Sequence, residues 1–134
     1  MKIVLDTNVL IASLIARGIC HDLVEHCYLT HSLITSEFIL NEVYEKLTFK
    51  FKFSLESAAE AVDLFTSCME IVVPTVFEDQ VSRDADDDKM LGTAVAGNAD
   101  CLVTGDKDLL VLKEFSGIDI LSPGDFVDQE EMFL

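Results

Sequence analysis

Twice along this chain a short, uninterrupted apolar run ends in polar residues that include a carboxylate. Ile3, Val4 and Leu5 give way to Asp6, Thr7 and Asn8, and Cys101, Leu102 and Val103 give way to Thr104, Gly105 and Asp106. Apolar runs this short, without alternation, suit strands buried on both faces, and such strands belong to parallel sheets covered by helices. After the first run Val9, Leu10, Ile11, Leu14 and Ile15 recur at helical spacing, and after the second a short helix is expected from Asp108 through Leu112. Both acids therefore sit where a strand hands over to a helix, and in open α/β sheets the carboxyl ends of strands are where ligands collect. For either acid alone, capping is the simpler explanation, since Asp, Thr and Asn accept hydrogen bonds from the first free amides of a helix. What separates the two readings is whether further carboxylates reach the same edge.

The rest of the chain keeps the alternation of strand and helix. Gly18 is a natural stop for the first helix, and Ile19, Leu23, Cys27 and Leu29 with Val24 and Tyr28 mark a second helical face. His31 to Thr35 reads as a strand, with His31 as its entry residue. Ser36 caps a helix whose stripe is Phe38, Ile39, Val43 and Leu47, and Ser54 opens another with Leu55, Ala58, Ala59, Val62 and Phe65 on one face. Cys68 to Val73 is strand-like up to Pro74, and Thr75 to Arg83 is loop. The helix from Asp84 turns Met90, Leu91, Ala94 and Val95 inward and ends at Gly97 and Asn98. Ile118 to Leu121 is the last strand, Ser122-Pro123-Gly124-Asp125 starts a helix with Pro in its first position, and Asp128 to Leu134 is expected to fray. This order predicts a single α/β domain over residues 1–134, a mainly parallel sheet with helices on both faces joined by right-handed crossovers.

Composition narrows the function. Half of the 134 residues are hydrophobic, enough for a substantial core, and no apolar run approaches the ~18 residues of a membrane span. The N-terminus enters a strand pattern at once instead of a signal-type stretch, so the expectation is a soluble, cytoplasmic protein. Four cysteines without a C-x-x-C pair are expected to be reduced thiols. The net charge of −16 is uneven: residues 1–53 hold five basic and six acidic side chains, and the remainder holds four and nineteen. Such acidity opposes phosphate binding unless divalent cations fill a carboxylate pocket and reverse the local sign.

Several groups compete for functional roles. Asp84, Asp86, Asp87 and Asp88 put four acids in five positions at a helix start, more than the helix dipole requires, and a divalent cation is the economical neutraliser. Periodicity brings Asp84, Asp87 and Asp88 all within reach of the Met90 side and does not choose among them. Glu42 lies beside its helix's apolar stripe and can lean toward the interior edge, whereas Glu45 and Lys46 read as solvated. Hard oxygen ligands without histidine select magnesium or manganese over zinc. Cys20, His21, His26 and Cys27 fit no usual zinc spacing. Lys46 to Phe53, K-L-T-F-K-F-K-F, is the one basic and aromatic cluster; Lys50 and Lys52 could meet phosphates, but a half-buried segment with lysines outward gives the same pattern. Gly92, Ala94, Ala96 and Gly97 would permit close helix packing, including between two copies of the chain.

The phrases V-L-D-T-N-V-L-I, S-E-F-I-L-N-E-V, D-A-D-D-D-K-M-L-G-T-A and D-C-L-V-T-G-D-K-D-L-L, in that order, resemble the acidic motifs of PIN-domain ribonucleases over nearly the whole chain. The resemblance is to the prokaryotic branch of toxins from toxin-antitoxin pairs. It implies a three-layer α/β/α sandwich, Mg2+ or Mn2+ as cofactor, cleavage of RNA, and an antitoxin protein as partner. Its four acids fall on Asp6, Glu42, Asp88 and Asp106, with Asp87 the next choice for the third. Thr7, Asn8 and Thr104 match supporting polar positions, and Asp108 is either a supporting acid or the cap of its short helix. Two other readings are a non-catalytic PIN-like binding module and a haloacid-dehalogenase-like phosphatase, the latter needing a second acid where Asn8 stands.

Overall fold

The computed structural model describes residues 1–133. In chain order the elements are β1 (Lys2–Leu5), α1 (Thr7–Ile15), α2 (Ile19–Thr30), β2 (Ser32–Thr35), α3 (Glu37–Phe49), α4 (Leu55–Cys68), β3 (Glu70–Ile71), α5 (Ala85–Ala96), β4 (Cys101–Val103), α6 (Lys107–Leu110), β5 (Glu114–Phe115), β6 (Ile118–Leu121) and α7 (Pro123–Gln129). The sheet order is β3-β2-β1-β4-β6-β5, and every pairing is parallel except β5 with β6. Ile3, Val4, Leu102 and Val103 have no exposed surface, as their unbroken apolar runs require of strands covered on both faces. The α/β/α sandwich with a mainly parallel central sheet is thus the observed fold.

The path of the chain decides where a ligand can sit. From β1 it winds outward through β2 to β3, then returns past β1 to β4 and continues to β6. Right-handed crossovers that reverse direction must change face, so α5 lies on the opposite side of the sheet from the helices of the first half. Between β1 and β4 the winding reverses, which opens a crevice at their carboxyl ends. Register sets Leu5 beside Val103, and the Asp6 amide donates to the Val103 carbonyl at 3.0 Å, so Asp6 and Thr104 leave the sheet side by side.

Ser36, Ser54 and Ser122 each accept a backbone amide at their helix starts, as their positions suggested. Elsewhere tertiary contacts prevailed over local pattern. Cys68 closes α4, and β3 shrinks to two residues because the Val72 amide makes the last link to Thr35 at 2.9 Å and Pro74 has no amide to offer. Lys46 to Phe49 continues α3 and Phe49 is 77% exposed, whereas Phe51 and Phe53 are half-buried against the core with Lys50 and Lys52 outward, as expected of a half-buried segment. Lys50 and Lys52 follow in an exposed turn, with Lys50 over the Phe51 ring and Lys52 at a φ of 60°. The β5–β6 hairpin was not anticipated; Gly117, at a φ of 78°, makes its turn.

The C-terminal segment is also better anchored than expected. Helix α7 runs to Gln129, and the Glu130 carboxylate accepts from His26 and His31; the Leu134 end of the expected frayed stretch lies outside the described residues. The small residues of α5 serve the chain itself. A Cβ on Gly92 would stand 2.3 Å from the Thr75 carbonyl oxygen, one on Gly97 would meet Ile34, and Ala94 is fully buried. Among the described residues no single helix is long and apolar enough to cross a membrane, and Cys20, Cys27, Cys68 and Cys101 are free thiols.

Candidate active site

Asp6 occupies the N-cap position of α1, yet its side chain makes no capping bond. Instead its carboxylate accepts from the Thr104 hydroxyl at 2.5 Å, and it is only 8% exposed. A buried acid released from capping is available for other work. Thr104 is itself held, because its hydroxyl oxygen accepts the Asp106 amide at 3.0 Å. Asp106 does cap, taking the Asp108 amide at 2.8 Å, so the two strand-end acids have diverged: one faces the crevice entirely, the other divides its oxygens between cap and crevice.

The first half supplies the other wall. Thr7, the first residue of α1, donates from its hydroxyl to Glu42 at 2.7 Å, bringing the Glu42 carboxylate from α3 toward the strand ends. Burial raises the Glu42 pKa, opposed by the Thr7 bond and by Lys46, while Asp86 and Asp6 add repulsion. Lys46, one turn beyond Glu42, donates to the exposed Asn8 at 3.3 Å. It belongs to this edge rather than to solvent, and the i, i+4 spacing from Glu42 was the signal. Asn8 thus faces a cation and stands where a phosphatase of the haloacid-dehalogenase type needs an acid.

The four acids at the start of α5 have four different fates. Asp84 caps the helix, accepting the Asp86 amide at 2.9 Å, and Asp86 is exposed. Asp88 accepts the Ser82 amide at 2.7 Å and the Val81 amide at 3.0 Å, so both its oxygens are committed to holding the preceding loop. Asp87 is 7% exposed, takes the Ser82 hydroxyl at 3.2 Å, and faces Asp106. Asp87, Asp106 and Asp108 bring carboxylate oxygens within 4.8 Å of one another, and Asp88, the acid preferred from the sequence, is outside that cluster. Arg83 clamps Asp108 through two 3.0 Å bonds, a contact invisible in the sequence because the partners are 25 residues apart.

These acids share one edge and repel one another. Burial, then the charge of Asp106, pushes the Asp87 pKa up to about 7. Burial also raises Asp6, partly offset by Thr104, with Asp106 adding to the rise. The donor set is all oxygen, and hard divalent cations with oxygen ligands at roughly 2.1 Å suit carboxylates at this separation. A magnesium-like ion therefore fits Asp87, Asp106 and Asp108, with Asp6 beside them through Thr104.

A relative from Methanocaldococcus jannaschii, described as an uncharacterized protein, is 27% identical over 147 aligned residues, covering 100% of this chain and 94% of its own length. The fold is similar to VapBC2 from Rickettsia felis bound to a DNA fragment from their promoter, with a TM-score of 0.64 at 17% identity over 91% of this chain and 98% of that one. It is also similar to VapBC-1 from nontypeable Haemophilus influenzae, with a TM-score of 0.63 at 16% identity over 92% and 99% of the two chains. The PIN-domain family model matches residues 2–108, a span that begins with β1 and contains every acid of the crevice, and the chain belongs to the PIN-domain family.

Proposed function

We propose that this chain is a metal-dependent endoribonuclease that hydrolyses RNA phosphodiester bonds with Mg2+ or Mn2+, and that it is the toxin of a toxin-antitoxin pair. The observation that carries the reading is the gathering of mutually repelling acids at the reversal point between β1 and β4. Asp6, Asp87 and Asp106 are the proposed ligands, with Glu42 at the opposite wall and Asp108 held by Arg83. When bound, a divalent cation supplies Lewis-acid polarisation of the phosphate and a lowered pKa for water. Thr104 and Thr7 keep the Asp6 and Glu42 carboxylates aimed.

Cations for the RNA backbone are few. Lys46 is at the crevice, whereas Lys50, eight residues beyond Glu42, is about 12 Å farther along the axis of α3 and suits flanking phosphates, as does Lys52. A protein partner is supported by an apolar groove of about 290 Å³ lined by Leu14, Val24, Tyr28, Leu33, Leu64 and Phe65, with Tyr28 and Leu64 more than half exposed. At a net charge of −16, any DNA contact like that of the Rickettsia felis complex falls to that partner. The test is cleavage of a mixed RNA panel with and without Mn2+, wild type beside Asp6→Asn. Metal-independent cleavage, or full activity in the variant, defeats the proposal.

A further inference from the structure

A second cluster of metal-binding side chains lies at the other edge of the sheet. His26, in the last turn of α2, and His31, just after it, converge on Glu130 at the end of α7. His26 Nε2 is 3.1 Å from Glu130 Oε1, and His31 Nε2 bonds the same oxygen. The two rings meet edge to face with centroids 5.6 Å apart, so their nitrogens approach one point from different directions. His31 precedes β2 and Asp6 follows the parallel β1, so about 13 Å of strand separates this cluster from the acidic crevice.

Pairing one carboxylate with a cation requires only one histidine. Here two of the chain's three histidines, from positions 26 and 31, share a single oxygen of a residue about a hundred positions away. The His31 ring packs edge-on against the buried Phe126, which fixes its plane. The side chains of His26, His31 and Glu130 are 27%, 12% and 17% exposed, shielded on most sides yet open to entry. One ligand atom from each lies within 4.8 Å of the others, and a tetrahedral ion with nitrogen at about 2.0 Å needs only a small withdrawal of Glu130.

We propose that His26, His31 and Glu130 form a binding site for a zinc-class divalent ion, separate from the acidic crevice. Two imidazoles and one carboxylate favour zinc, nickel or copper over magnesium and manganese, whereas the all-oxygen crevice has the opposite preference. With three protein ligands the fourth position is left to water. The bound ion joins the end of α7 to α2, so its first effect is on stability.

The test uses the full chain without a histidine tag, stripped with EDTA and titrated with Zn2+ against a chromophoric chelator. Wild type should show a zinc-binding event that His26→Gln and Glu130→Gln weaken at least about tenfold. Asp106→Asn, which alters the crevice, should leave that event unchanged. Co2+ gives a second readout: wild type should show the intense visible absorption of a low-symmetry site, and His26→Gln should lose it. Circular dichroism checks that each variant is folded; His26 is partly exposed, so its variant decides the matter if Glu130→Gln does not fold. Zinc affinity unchanged in folded His26→Gln, loss of the event in Asp106→Asn, or no zinc binding by folded wild type overturns the proposal.

Discussion

Exchanging Asp87 and Asp88, one at a time, for asparagine separates an acid that faces the crevice from one that holds a loop. Burial and the charge of Asp106 push the Asp87 carboxyl up to about 7 from its ordinary value of 3.8. Between those values the folded state holds a proton that the unfolded chain has released, so this group's contribution to stability is complete below pH 3.8 and is lost as pH rises through about 7. A single isolated group would give a ceiling of about 4 kcal/mol. The site is open to solvent on one side, which screens the effect, and about 1–2 kcal/mol is the expected loss, or about 3–8 °C for a chain of this size. Asp87→Asn should therefore melt higher than wild type at pH 8 in EDTA, lose the advantage near pH 4, and gain nothing from Mn2+. Asp88→Asn should do the reverse. Its amide nitrogen must face the Val81 or Ser82 amide, costing about 1–3 kcal/mol at either pH while leaving cleavage by the folded fraction intact. Melting curves at pH 4 and 8, each with EDTA and with Mn2+, alongside RNA cleavage, make the comparison. The assignment collapses if Asp87→Asn melts no higher than wild type at pH 8, or if Asp88→Asn is the variant that abolishes cleavage.

Three further outcomes follow from the same geometry. Asp6→Asn should remain folded, since the Asp6 side chain caps nothing, yet lose at least about 100-fold in metal-dependent RNA cleavage; a fully active, homogeneous preparation would remove Asp6 from the chemistry. Thr104→Val deletes the hydroxyl that fixes Asp6 and takes the Asp106 amide, so manganese affinity measured by calorimetry should fall about 10–100-fold, and an unchanged isotherm would show that Thr104 does not position Asp6. Gly92→Ala places a Cβ 2.3 Å from the Thr75 carbonyl oxygen and should destabilise the fold by about 1–3 kcal/mol in urea; wild-type stability would mean that the segment yields more easily than its hydrogen bond to Gly92 suggests.

Strand ends were legible in the sequence because the apolar runs at Ile3 and Cys101 are short, unbroken and followed at once by polar residues; the fold class and the neighbourhood of Asp6 and Asp106 came from that pattern. The choice between Asp87 and Asp88 was not legible. Successive helix residues are about 100° apart, and periodicity placed both near the inner side; what separates them is a loop whose Val81 and Ser82 amides occupy Asp88. Arg83 and Glu130 were missed for a related reason. Their charges pair with residues brought near by topology, and helical or strand spacing carries no trace of the Arg83–Asp108 and His31–Glu130 contacts.

The central position of β1 has a consequence for synthesis. Strand β1 cannot complete its pairing until β4 exists, and the Thr104 hydroxyl that steadies Asp6 is 98 residues downstream. A chain halted before that point has Asp6 and Glu42 but neither Thr104 nor Asp106, so its carboxylates cannot form the crevice. Non-local pairing of this kind delays folding of the centre until the later strands arrive. The crevice therefore forms late, once β4 and the Thr104 that follows it have been made.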